Sequence, residues 1–128
     1  LYAWKTFLEE GFICAAGTDA PIEGISPFET IYAAVERKKP SDPHEGYMPQ
    51  QKLTRFEAVK MYTFGSAQAI CKEAERGLIK AGYDADFTIL NRDLFTCTAQ
   101  EILQTTALKT VVAGKIVYEK QFAKESHV

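Results

Sequence analysis

The sequence predicts an α/β chain, with a strand–helix unit in its first half and a small β subdomain in its second. Three observations carry that reading. Phe12-Ile13-Cys14-Ala15-Ala16 is a short continuous apolar run, the pattern of a strand buried on both faces of a parallel sheet. Ser26-Pro27-Phe28-Glu29 follows after a loop and announces a helix. After Gly77 the helical period gives way to alternation and to hairpin chemistry.

In order along the chain, Tyr2 to Glu10 reads as the body of a helix, with Trp4, Phe7 and Leu8 at helical spacing and Gly11 as its stop. The apolar strand comes next, and Gly17-Thr18-Asp19-Ala20-Pro21 breaks it with loop residues. The capping box at Ser26 opens a helix whose apolar face is Ile31, Tyr32 and Val35. Arg37 to Gln51 is polar and holds three prolines, so it reads as an exposed loop. A second capping box, Thr54-Arg55-Phe56-Glu57, opens a helix through Met61 and Tyr62, which Gly65-Ser66 bends or restarts before Ala67 to Glu75 continues it. Ala85 to Leu90 favours a strand. Thr98 to Glu101 is a third capping box before a short helix, and Lys109 to Val112 pairs with Lys115 to Glu119 across Ala113-Gly114.

Composition narrows the functional classes. The 128 residues are 46% hydrophobic and 25% charged, with 15 basic against 17 acidic side chains, which is globular rather than disordered. There is no Lys/Arg excess for nucleic acid. No apolar run approaches the roughly 20 residues of a membrane span, and no signal-peptide pattern opens the sequence. Cys14, Cys71 and Cys97 are odd in number and widely spaced, the usage of reduced cytoplasmic thiols rather than of a disulfide framework or zinc knuckle.

Asp19 is the main candidate for chemistry. It falls just past the end of a buried strand, where ligands gather in α/β sheets and barrels, and a carboxylate there can bind a metal or take a proton from water. The competing reading is a turn residue bonding its own backbone. Glu23 hangs in the same loop as a candidate substrate contact, against the plainer reading of an exposed glutamate. His44 is a lone loop histidine, and Glu36 to Lys39 reads as a solvated helix end. His127 is given no role. Gly77 to Gly82 lacks the G-K-[ST] ending of a phosphate loop.

Several segments together resemble the C-terminal third of the amidohydrolase superfamily, and most closely amidohydrolase family 3, which includes proteins labelled as exoenzyme regulators. Gly17-Thr18-Asp19-Ala20-Pro21-Ile22-Glu23 is similar to that branch's G-[ST]-D-A-P-x-E segment after the eighth barrel strand. Ile31 to Lys38 resembles its Y-A-A-V-x-R helix, and Leu53 to Ala67 its L-T-x-x-E-A-[LV] … Y-T-x-G-[AS]-A helix. Gly77 to Phe87 and the closing hairpin from Val111 to Tyr118 resemble its small β domain. The resemblance implies residues 1–76 as the last βα units of a (β/α)8 TIM barrel, 77–122 as strands of an appended small β-sandwich, and 123–128 as a tail. A complete barrel takes roughly 250 residues, so the expectation is the C-terminal portion of a hydrolase.

The implied activity is hydrolysis of carbon–nitrogen bonds in a small-molecule substrate by metal-activated water. One or two divalent metals, commonly zinc, would serve the full-length parent, with Asp19 binding metal and shuttling the proton. The H-x-H pair, the carboxylated lysine and the later histidines of that pattern are absent here. The 128 residues alone are therefore expected to be inactive and to hold no stoichiometric zinc. Partners follow: the remainder of the barrel, and a homo-oligomer as an open possibility, because a partial barrel exposes apolar faces. The alternative, from another class, is a non-catalytic regulatory protein that retains this segment.

Overall fold

The computed structural model describes residues 2–122; the expected tail and His127 lie outside them. Five short helices and three strands run in the order α1 (Trp4–Glu9), α2 (Pro27–Glu36), a 3-10 turn (Pro49–Gln51), α3 (Arg55–Tyr62), α4 (Phe64–Ala69), β1 (Phe87–Leu90), α5 (Ala99–Leu103), β2 (Ala107–Val112) and β3 (Lys115–Glu119). Gly11 ends α1 at φ +85°, a conformation other residues reach only with strain. There its N–H donates to Leu8 O and the next, Phe12 N–H, to Phe7 O, while the Phe7 and Phe12 rings meet edge to face. That is a Schellman stop with its hydrophobic contact.

The apolar run after Gly11 departs from expectation. Phe12 to Ala16 is assigned no strand, and Phe12 and Ile13 are each 63% exposed. The physical reason is that a strand exists through its partners. The apolar pattern encodes burial on two faces, but among the described residues no strand lies beside this segment. Beyond the Phe12 N–H bond to α1, its backbone is tied to α3 by Ala16 N–H to Met61 O, 3.1 Å.

α2 starts at Ser26 with Pro27 in its first turn, yet the box stays open, because the Ser26 side chain makes no capping bond. The Glu29 carboxylate instead lies over Gly24, where an added Cβ would come within 2.9 Å of Oε2. α3 closes its box in full: Thr54 Oγ1 accepts from Glu57 N–H at 3.1 Å and Glu57 Oε1 accepts from Thr54 N–H at 2.9 Å. The same Glu57 carboxylate takes Lys5 Nζ at 2.7 Å. Gln51 Nε2 donates to Thr6 Oγ1 at 2.8 Å while Thr6 N–H donates to Gln51 Oε1. These two clamps hold α1, which buries no residue of its own. Gln51 is therefore a buried anchor, not the end of an exposed loop.

The break between α3 and α4 falls at Thr63 (φ −112°, ψ −90°), ahead of the expected Gly65-Ser66, and α4 ends at Ala69, well short of Glu75. The three strands form one antiparallel sheet in the order β1-β2-β3. Ala113 (φ 51°) and Gly114 (φ 75°) make the two-residue turn, both left-handed as a type I′ hairpin requires. The core holds Ile31 and Tyr32 of α2, Ala58 of α3, Leu94, and Ile102 of α5, so one apolar cluster draws on residues from both sides of Gly77. Among the described residues no helix is long and apolar enough to cross a membrane.

Candidate functional site

The loop after Ala16 is organised by backbone and by one hydroxyl. Thr18 Oγ1 accepts from Ala20 N–H at 3.4 Å, and Asp19 O accepts from Ile22 N–H at 2.9 Å and Glu23 N–H at 3.3 Å. Asp19 itself sits at φ 60°. Asp tolerates that left-handed conformation better than most side chains, but it stays uncommon outside glycine. The side chain that ties the turn is thus Thr18, one of the loop residues expected after the apolar run. Its signal was a threonine two positions before the amide it binds. The Asp19 carboxylate is exposed and takes no hydrogen bond or ion pair among the described residues. The turn-residue reading of Asp19 needs such a bond from the carboxylate, and the turn closes without one.

Glu23 is brought into the same loop through its backbone, with its side chain exposed. A cavity of about 330 Å3 beside the segment is lined by Ala15, Ala16, Gly17, Arg37, Tyr47 and Tyr62 among others; Asp19 and Glu23 are not part of its lining. Arg37 is more than a solvated helix end. At φ 51° it turns the chain, its Nε donates to Tyr47 O at 2.7 Å, and its own carbonyl accepts from Tyr47 N–H at 2.8 Å. That pair staples the loop's base. His44 stays on the surface, its Nδ1 accepting from Gly46 N–H at 3.0 Å and its Nε2 lying 3.4 Å from Asp42 Oδ2. All three cysteines are free thiols.

A catalytic zinc takes three protein ligands and leaves one position for water or substrate. Among the described residues no group of three or more His, Cys, Asp or Glu side chains is placed to hold a metal ion. These residues by themselves do not fit one. What the loop offers is two exposed carboxylates, Asp19 and Glu23, without a side-chain partner among the described residues, Asp19 being the one at a left-handed φ.

Comparison with known proteins gives the family. The family model described as "Amidohydrolase family" matches residues 1–118. The chain belongs to the amidohydrolase family. Among curated relatives of this amidohydrolase chain, "Putative amidohydrolase YtcJ" of Bacillus subtilis (strain 168) is 45% identical over 120 residues, covering 93% of the chain and 23% of that protein. "N-substituted formamide deformylase" of Arthrobacter pascens is 32% identical over 121 residues, covering 94% and 22%. Among solved structures, an uncharacterized metal-dependent hydrolase from Pyrococcus furiosus aligns with a TM-score of 0.59 and 35% identity, over 74% of the chain and 18% of that protein. The amidohydrolase segment described here thus spans a little over a fifth of the length of the curated relatives it matches.

Proposed function

We propose that these residues form the C-terminal portion of a longer metal-dependent amidohydrolase that cleaves carbon–nitrogen bonds of a small molecule. In this reading Asp19 lends one carboxylate to a divalent-metal site, zinc being the expected ion. The remaining ligands would come from outside residues 2–122. The observation that carries the reading is the Asp19 turn: the backbone and Thr18 hold it in a left-handed conformation, and the carboxylate is left unspent. A positive-φ residue maintained by its surroundings is a reasonable place to look for function. The family match and the metal-dependent structural neighbour support a hydrolase as the reaction class. An exposed carboxylate in that position can serve as ligand or as proton acceptor from the attacking water. Glu23, four residues on in the same loop, would face the substrate. The apolar side chains of Phe12 and Ile13 would be covered by the remainder of the barrel.

The test uses the intact protein, purified and assayed for bound metal and for hydrolysis of N-substituted formamides and simple amides. Asp19→Asn is expected to lower kcat on the order of 100- to 10,000-fold, the usual range for losing a general acid–base group, and to lower metal content. A variant that keeps its full metal content and its full hydrolysis would refute the role. An intact wild-type protein with neither metal nor amide hydrolysis would favour the non-catalytic reading.

A further inference from the structure

The turn that carries Asp19 is only as well placed as the segment leading into it, and that segment rests on a notch between α3 and α4. Two features make the notch. The helix break at Thr63 frees the Met61 carbonyl, which then accepts both Ala16 N–H at 3.1 Å and Ser66 Oγ at 2.9 Å. An uninterrupted helix would have used that oxygen for the amide four residues on. Beside it, Gly65 is buried against the Cys14 carbonyl. A Cβ at Gly65 would overlap Cys14 O, and would also lie 3.3 Å from Cys14 C and 3.2 Å from Lys60 O. All three are backbone atoms, so no flexible side chain can yield. No left-handed φ requires glycine at position 65; the space does.

We propose that Gly65, with the Met61 carbonyl, is a positioning residue for the active-site aspartate. It docks Cys14 to Ala16 by backbone contact and so sets where Asp19 stands three residues later. The inference rests on the reading of Asp19 given above. A side chain at position 65 pushes the segment off the notch, and a displacement of about 1 Å at a reacting group can lower a rate on the order of 100-fold.

Two measurements test it. In the intact wild-type protein, amide hydrogen exchange should find Ala16 protected. An Ala16 amide exchanging at the unprotected rate would overturn the docking whether or not any variant folds. In Gly65→Ala, the Ala16 amide and the Cys14 thiol should react about tenfold faster, with α2 and α3 amides unchanged. A uniform rise across the chain would mean that Gly65 serves stability alone. In the intact protein, Gly65→Ala should lower kcat on N-substituted formamides with KM little changed, the signature of lost transition-state geometry. Local displacement with an unchanged kcat would overturn the positioning role. Asp19→Asn separates the two ideas: it should abolish hydrolysis while leaving Ala16 protected. If Asp19→Asn retains hydrolysis, the functional reading falls, and the exchange data alone decide the docking.

Discussion

Among the described residues Ile102 is the largest side chain with no exposed surface, and its removal should reveal what holds α5 to α2 and α3. It projects from α5 into a cluster formed by Ile31 and Tyr32 of α2, Ala58 of α3 and Leu94. Ile102→Ala deletes three carbons at about 0.8 kcal/mol each. A cavity that only partly collapses adds about 1 kcal/mol more, for a total of about 3.5 kcal/mol. At roughly 4 °C per kcal/mol for a chain of this size, Tm should fall by about 14 °C. Ile102→Val removes one carbon and should lower Tm by about 4 °C. Ile79, 90% exposed, gives the reference: Ile79→Ala should stay within about 0.5 kcal/mol. The assay is urea and thermal unfolding followed by far-UV circular dichroism, with an unchanged urea slope confirming that stability alone has moved. If Ile102→Ala loses under about 1 kcal/mol, α5 is not docked on α2 and the shared core is refuted. A biphasic transition in the wild type would refute it equally, because one core should melt as one unit.

Two further outcomes follow from particular residues. Burial alone would raise the Glu57 carboxyl, but hydrogen bonds from Lys5 and from Thr54 outweigh it and hold the group below its ordinary value. A depressed carboxylate stabilises the fold above its unfolded pKa of about 4.3 and loses that contribution as pH falls through the lower folded value. Urea midpoints of Glu57→Gln should therefore fall below wild type at neutral pH and converge with it in acid; parallel curves would contradict the clamp. At the hairpin, Ala113 pays for a left-handed φ that asparagine adopts more readily, so Ala113→Asn should raise stability by about 0.5–1 kcal/mol. A lower Tm in that variant would count against the I′ turn.

What the sequence made legible was local chemistry. The Thr54 box, the stop at Gly11, the Ala113-Gly114 hairpin and the α5 start at Thr98 each depend on residues within a few positions of one another, and each appears where its pattern stands. Ser26 leaves its box open, a local departure that nothing in the structure explains. The other misses have a common cause in longer range. The helix broke at Thr63, where Met61 O is shared with Ala16 N–H from 45 residues away, and Gly65, expected to bend the helix, admits a passing backbone instead. Gln51 read as loop because its partner, Thr6, lies on another element.

The same distinction explains the contrast between Phe12-Ile13 and Asp19. An apolar run is a demand for neighbours, and Phe12 and Ile13 remain exposed because the demand is not met among residues 2–122. The Asp19 carboxylate, on a turn fixed by its backbone, is exposed and has no protein partner among the described residues. Both lie within eight residues of one another, on one segment held to the helices by Ala16 N–H and by the fit of Cys14 against Gly65. In the proposed reading the apolar side chains would pack on the segment's flanks and Asp19 would carry the chemistry at its end. Measuring the exposure of Phe12 and the metal content of Asp19→Asn in the intact protein therefore examines one structural idea from two sides.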